Sequence, residues 1–84
     1  MTVKLKFRQF AKKKGTVEAT GSTVRECLDD LIRQSPDTKR WLFDKNEILQ
    51  VLVLLNGEDV YQKDLNRTVT DGDELQLILI VGGG

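Results

Sequence analysis

The residues that could take part in covalent chemistry lie at the C-terminus of the chain. The 84-residue sequence ends in Gly82-Gly83-Gly84, directly after an apolar segment, Glu74–Val81. Glycine has no Cβ, so a run of glycines can thread a narrow channel and let another protein's backbone approach closely. The same composition is common at frayed termini. Here the glycines follow a strand anchored by large residues, so we expect the tail to project from a rigid platform, where the carboxylate of Gly84 can be handed to a separate enzyme.

No other set of residues has the types and spacing that catalysis requires. The chain contains no histidine, so the commonest general base and metal ligand are both missing. The single cysteine, Cys27, falls among apolar helical positions, where a thiol is usually inert packing. The acidic run Asp71-Gly72-Asp73-Glu74 is typical of tight turns, and no further ligands lie near it in sequence. We therefore expect no metal, no bound cofactor and no catalytic centre in the chain itself.

Composition places the chain among small soluble proteins. Its length allows one domain, residues 1–84 with a tail over 82–84. Thirteen basic and thirteen acidic residues cancel, which argues against nucleic acid or a membrane as partner. The basic segment Lys12-Lys13-Lys14 has no aromatic neighbours on which bases could stack. One cysteine excludes an intramolecular disulfide, and no signal peptide or membrane-spanning run is visible. We expect a cytoplasmic protein.

The elements that must position the tail follow from periodicity. Thr2–Arg8 alternates apolar with basic residues, which is typical of a half-buried strand, and Thr16–Thr20 is predicted to pair with it. Thr23 and Glu26 have the spacing of a capping box, and they open a helix that ends before Pro36. The apolar stripe of this helix is Val24, Cys27, Leu28, Leu31 and Ile32, and its polar positions are Arg25, Glu26, Asp29, Asp30 and Arg33.

The second half of the chain is predicted to supply a short helix and three strands. The helix, Asp37–Phe43, turns Trp41 and Phe43 toward the core, and Asn56-Gly57 is a strong hairpin signal. The predicted strands are Gln50–Leu55, Glu58–Tyr61 and Glu74–Val81, with Leu65 and Val69 as anchors of the loop before the last strand. This order predicts an α+β fold, in which a mixed sheet carries the main helix on one face and a short second helix accompanies it.

Two of the strands are predicted to leave apolar side chains on the sheet face that points away from the helix. Successive strand residues point to opposite faces, and contiguous exposed apolar surface in a soluble protein usually marks a partner site. A central strand that is apolar on both faces or covered by a loop gives the same pattern, and a one-residue register shift exchanges the faces. The predicted outer residues are Leu52, Leu54, Ile78 and Ile80, beside basic Lys4, Lys6 and Arg8.

The Asn56-Gly57 turn, the run Asp71-Gly72-Asp73-Glu74-Leu75 into an apolar strand, and the terminal Gly83-Gly84 together form a family pattern. They resemble the ubiquitin-like sulfur carriers of molybdopterin and thiamine biosynthesis over essentially the whole chain, which implies a β-grasp fold. The length and the second helix are more similar to the small subunit of molybdopterin synthase than to the shorter thiamine carrier. Ile80-Val81 runs straight into the glycines, where family members often have a proline- or alanine-containing stretch.

The resemblance implies that the chain is a protein co-substrate rather than an enzyme. An adenylating enzyme of the ubiquitin-activating type would use ATP to convert the Gly84 carboxylate into an acyl-adenylate. Sulfur transfer would then give a C-terminal thiocarboxylate for a downstream synthase, with molybdopterin as the favoured product. We therefore expect Gly83 and Gly84 to take part in the reaction. The expected partner-binding residues are Leu52, Leu54, Ile78, Ile80 and Gly82.

Two other functions fit the same sequence. A ubiquitin-like modifier would join Gly84 to target lysines through an isopeptide bond. A β-grasp interaction module would use its surface alone, and its binding would survive removal of residues 82–84. The sequence also leaves the sulfur acceptor open, because some relatives supply sulfur to cysteine or other metabolites.

Overall fold

One mixed five-stranded sheet and one long helix make up most of the described chain. The computed structural model describes residues 2–8 and 16–79, except for the side chains of residues 8 and 79. The predicted α+β architecture is confirmed. The strands are β1 (Thr2–Arg8), β2 (Thr16–Thr20), β3 (Val51–Leu55), β4 (Glu58–Val60) and β5 (Glu74–Leu79); the helices are α1 (Val24–Gln34) and α2 (Lys39–Leu42), and 3₁₀ turns occupy Pro36–Thr38 and Gln62–Asp64.

The strand order, β2-β1-β5-β3-β4, places the last strand in the middle of the sheet. β5 runs parallel to β1 and antiparallel to β3, so both of its edges are hydrogen-bonded. β3 begins one residue later than predicted, after Gln50, and β4 ends one residue earlier, before Tyr61. The predicted continuation of β5 through residues 80 and 81 lies outside the described residues.

The core lies between α1 and one face of the sheet. Most inward residues of the strands are buried, as the period of two predicts, and most of the apolar stripe of α1 packs onto them. Burying each such side chain stabilises the fold by roughly 1.5–3 kcal/mol. The fully buried members are Val3, Leu5, Ala19, Val53, Leu75 and Leu77 from the sheet and Val24, Cys27, Leu28 and Leu31 from α1, while Ile32 is only partly buried.

Helix α1 begins at the predicted capping box. The hydroxyl of Thr23 accepts a hydrogen bond from the backbone N–H of Glu26 at 3.1 Å. The Glu26 carboxylate reaches back one residue further than the standard motif and accepts from the backbone N–H of Ser22 at 2.7 Å. At the other end the N–H of Ser35 donates to Leu31 at 2.8 Å, directly before Pro36. The caps therefore fix where the helix enters and leaves the core.

The second helix is shorter than predicted, because Pro36 opens a 3₁₀ turn and α2 makes a single turn. Phe43 is buried and Trp41 partly buried, as predicted, but the most deeply buried residue of this segment is Leu42, which the prediction left out. Phe43 adopts an extended conformation and forms a β-bridge with Leu49. This bridge ends the helix and directs the chain into β3.

Two turns are held by the residues that the sequence singled out. Asn56 and Gly57 both have positive φ, 51° and 89°, which is the conformation of a type I′ hairpin turn. The carboxylate of Asp73 accepts from the backbone N–H of Thr70 at 2.8 Å and from the side-chain amide of Asn56 at 3.1 Å. These bonds, the Thr70 amide first, lower the pKa of Asp73. The acidic run therefore acts in turn formation, as predicted.

Asp30 is buried, although it lies outside the apolar stripe of α1. The residue is 8% exposed, and its Oδ2 accepts from the backbone N–H of Thr20 at 2.9 Å and from Nε2 of Gln34 at 3.0 Å. Arg33 pairs with the other oxygen. The Thr20 amide is the largest cause that lowers the pKa of Asp30, and it outweighs the opposing effect of burial. Asp30 thus ties α1 to edge strand β2, which a helical periodicity cannot indicate.

Asp30→Asn is expected to lower the free energy of unfolding at neutral pH by about 1 kcal/mol, since it removes a charge-assisted hydrogen bond while keeping the shape. The depressed pKa means that the carboxylate stabilises the fold above its unfolded-state pKa of about 3.9. That stabilisation is lost as the pH falls through the lower folded-state value. Urea unfolding of both proteins across acid pH should therefore show the difference shrinking below about pH 4. The control is Asp29→Asn on the exposed side of α1, and an equal loss there would contradict the assignment.

Candidate functional site

Four of the predicted site residues, Ile80 and Gly82-Gly83-Gly84, lie outside the described residues. The structure does show how the segment before them is held. Val51 of β3 pairs with Leu79, the last described residue, and Arg8 of β1 pairs with Ile78. Because β5 is hydrogen-bonded along both edges, the chain reaches its C-terminal segment from a fixed point in the middle of the sheet.

The predicted outer apolar face exists for the residues that the structure describes. β3 and β5 are neighbours, and their register sets Leu52 opposite Ile78 and Leu54 opposite Gln76. Leu52, Leu54 and Ile78 are each partly exposed, whereas the alternate residues of the same strands are buried. The register alternatives left open by the sequence are thereby decided. We call Leu52, Leu54 and Ile78 the outer patch; its role in binding a partner stays a prediction.

Tyr61 adds to this face, and the sequence analysis did not include it. It is 57% exposed, and its hydroxyl donates to Oδ2 of Asp59, 3.4 Å away. Val60, the residue before it, pairs with Val53, so Tyr61 follows β4 at the level of Leu52. The alternation of β4 could have indicated this position, since a residue next to inward Val60 must point outward.

Basic residues border the outer patch on the β1 side, as predicted. Lys4 and Lys6 are exposed, and Lys6 lies opposite Gln76 in the sheet. The ammonium of Lys6 is 3.3 Å from a carboxylate oxygen of Glu74, so its charge is partly neutralised. The backbone of Arg8 continues this row, while its side chain is not among those described.

The titratable groups of the described chain point to no catalytic centre. Burial is the main cause that raises the pKa of the Cys27 thiol to about 11, so the thiol stays protonated and unreactive at neutral pH. The prediction that Cys27 is inert packing is confirmed. Within residues 2–8 and 16–79, no group of three or more histidine, cysteine or acidic residues could hold a metal ion. In the same part of the chain, no helix has the length and apolarity needed to cross a membrane.

The sheet order, the helix across one face and the parallel pairing of β1 with the C-terminal strand define a ubiquitin-like, β-grasp protein. The chain belongs to the ThiS family, whose model matches residues 5–84. The resemblance to ubiquitin-like sulfur carriers is therefore confirmed. No curated protein sequence matches the chain significantly.

Solved structures with the same fold divide among different functions. The chain is similar to SAMP1 from Haloferax volcanii, with 29% identity, full coverage of both chains and a TM-score of 0.81. It is 32% identical to a chain of the BexX/CysO complex of Amycolatopsis orientalis, with 98% of this chain and 99% of that one covered and a TM-score of 0.75. A chain of the complex of molybdopterin-converting factor subunits 1 and 2 from Helicobacter pylori 26695 has 24% identity, full coverage of both chains and a TM-score of 0.70. That last likeness shows the fold alone, so the preference for molybdopterin is not confirmed.

Proposed function

We propose that this chain carries sulfur as a thiocarboxylate on Gly84. The observation that carries the proposal is the family match, which extends through the terminal glycines, together with the central, doubly paired strand β5 that precedes them. Such a chain needs no pocket of its own, because a separate enzyme performs the activation. Gly83 would serve as passage into that enzyme and Gly84 would supply the reacting carboxylate.

The reaction takes place in two steps on partner enzymes. In the first, a carboxylate oxygen of Gly84 attacks the α-phosphorus of ATP, pyrophosphate leaves and an acyl-adenylate forms. In the second, a sulfur nucleophile at the oxidation level of sulfide attacks the acyl carbon and AMP leaves, which gives the thiocarboxylate. A downstream synthase then takes the sulfur. The partners are thus a ubiquitin-activating-type adenylating enzyme and a sulfur-accepting synthase, and the single free cysteine accords with a reducing cytoplasm.

The first step can be tested by pyrophosphate exchange. The adenylating enzyme from the same organism, mixed with the full chain, labelled pyrophosphate and ATP, should form labelled ATP only when the chain is present. An exchange rate that does not depend on the chain would contradict the proposal. The preference for molybdopterin stays a prediction of its own, to be tested by offering the charged chain to a molybdopterin-synthase large subunit with its substrate.

A second candidate function is favoured by the likeness to SAMP1, which a related solved structure calls a small archaeal modifier protein. As a modifier, the chain would transfer its activated Gly84 carboxyl to the amine of a target lysine. Covalent adducts in an extract of the native organism, lost when Gly84 is deleted, would support this function. Carrier and modifier share the adenylation step, so the exchange test alone does not separate them.

A further inference from the structure

The loop between α2 and β3, residues 44–49, presents an apolar side chain on a rigid support. Ile48 is 49% exposed. Its backbone N–H donates to Oδ1 of Asp44 at 3.0 Å, its carbonyl accepts from the Asp44 N–H at 2.9 Å, and the same Oδ1 accepts from Asn46 at 2.7 Å. The loop is thus closed on itself by hydrogen bonds, and the side chain of Ile48 stands outside them.

Contacts with the rest of the fold fix this loop in place. Glu47 has a φ of 61°, a left-handed conformation that costs a residue with a side chain free energy and persists where its surroundings enforce it. The Glu47 carboxylate lies 3.6 Å from Arg25 of α1, whose guanidinium stacks 4.5 Å from the centre of the Phe43 ring. The side chain of Gln62 accepts from the backbone N–H of Leu49 at 2.6 Å. A loop that needed only to connect α2 and β3 would not require this support.

Three cations lie on the α2 side of this loop. Lys39, Arg40 and Lys45 border an open groove of about 730 Å³ that Asp37 and Asp44 also line. Among the residues that the structure describes, none of these three cations forms an ion pair. Lys6, Arg25, Arg33 and Arg67, by contrast, each pair with a carboxylate. Asp44 is committed to the amides of its own loop, so the groove presents cations available to an external carboxylate.

This surface adjoins the end of the sheet at which β5 finishes. The side chain of Gln50 donates to the carbonyl of Arg40 at 2.9 Å, and its backbone N–H donates to Leu42 at 2.7 Å. The next residue, Val51, pairs with Leu79. Gln50 also lines the groove, so the groove adjoins the end of the sheet from which an enzyme would receive the C-terminal segment.

We propose that Ile48, with Lys39, Arg40 and Lys45, is a second contact surface for the adenylating enzyme, separate from the outer patch. Its occupant is the surface of that enzyme, with an apolar pocket for Ile48 and carboxylates for the three cations. The inference rests on the proposed function, since it assumes that an enzyme takes hold of the chain near its C-terminus. In such a surface the apolar anchor supplies affinity, and the charged groups near it raise the rate of encounter.

The chain's own C-terminal carboxylate is a less favourable occupant. Closing a chain segment back onto its own domain costs backbone entropy, which an exposed ion pair offsets only weakly. A partner brings its carboxylates on a folded surface and does not bear that cost.

The test is the dependence of pyrophosphate exchange on the concentration of the full chain. Ile48→Asp should raise KM at least tenfold and leave kcat within about twofold, while Ile48→Val should keep the wild-type KM. Lys45→Glu should raise KM several-fold and weaken its salt dependence; the control Lys63→Glu carries the same charge change but does not line the groove, and it should do neither. Urea unfolding of each variant should match the wild type.

Several outcomes would overturn the inference while leaving the proposed function standing, provided that the wild-type chain supports exchange. One is an unchanged KM for Ile48→Asp. Another is an equal rise in KM for Lys45→Glu and Lys63→Glu, which would indicate that only the net charge of the chain affects binding. A lower KM for Lys45→Glu would show that the cations hold the chain's own carboxylate. A wild-type dimer in sedimentation that Ile48→Asp dissociates would assign the surface to a second copy.

Discussion

Deleting Gly83 and Gly84 is expected to abolish exchange of pyrophosphate by the adenylating enzyme and to leave the stability of the domain unchanged. Exchange requires a carboxylate that reaches the α-phosphorus of ATP, and a displacement of about 1 Å from the reacting geometry already costs roughly a hundredfold. Two residues can span about 7 Å, so the shortened chain places its carboxylate far from the nucleotide. The buried core within the described residues extends no further than Leu77, which is why urea unfolding should not change.

The control for the deletion keeps every glycine and adds one alanine after Gly84. This variant has the wild-type fold, charge and glycine count, but its carboxylate lies one residue further on and carries a methyl group beside it. It should also lose exchange by at least a hundredfold. If the deletion variant supported exchange at the wild-type rate, the C-terminal carboxylate could not be the reacting group. That result would leave the β-grasp interaction module as the better account.

Leu52→Glu is expected to weaken binding of the adenylating enzyme by about 30-fold or more. Leu52 lies opposite Ile78 at the centre of the outer patch, and truncating a central anchor of an interface typically costs about 2 kcal/mol or more. The substitution also places a carboxylate in an apolar contact, where it would have no partner once water is excluded. The measurement is titration calorimetry of the unmodified chain with the enzyme.

Thr16→Glu is the matched control, because it adds the same carboxylate to the same sheet face on edge strand β2, away from the outer patch. Thr16 is exposed and lies opposite Lys6, so the added charge has a cation nearby. Wild-type affinity is expected for this variant. If Leu52→Glu bound as tightly as Thr16→Glu, the outer patch would be a merely partly covered sheet face rather than a docking surface.

The two sets of variants separate the two contact surfaces. Leu52→Glu acts on the outer patch and Ile48→Asp on the loop after α2, and neither residue is part of the reacting tail. Both should raise KM with little change in kcat, because they remove binding that the ground state and the transition state share. The deletion of Gly83 and Gly84 should instead eliminate kcat.

Much of the fold was predictable because local chemistry and tertiary structure agree. The alternation of Thr2–Arg8 became β1, the Thr23–Glu26 spacing became a helix cap, and Asn56-Gly57 became a turn with two positive φ angles. The outer positions Leu52, Leu54 and Ile78 followed from a period of two, once the register of β3 and β5 was known.

What the sequence could not predict depends on long-range contacts. Asp30 has the helical position of a surface residue, and only the neighbouring edge of β2 explains its burial. Leu42 is fully buried in the single turn of α2 that follows the proline-initiated 3₁₀ turn, and an element this short has no periodicity that would indicate it. The supported loop that presents Ile48 depends on Arg25 and Gln62, which are distant in sequence. No periodicity within residues 44–49 indicates that arrangement.

The central claim is that Gly84 carries sulfur, and the intact mass of the chain tests it most directly. The full chain is incubated with its adenylating enzyme, ATP and a sulfide source, and the product is then fragmented in the mass spectrometer. One oxygen is expected to be replaced by sulfur, and every fragment that carries the change is expected to contain Gly84. An unchanged mass under conditions that support pyrophosphate exchange, or sulfur found on Cys27 instead, would contradict it.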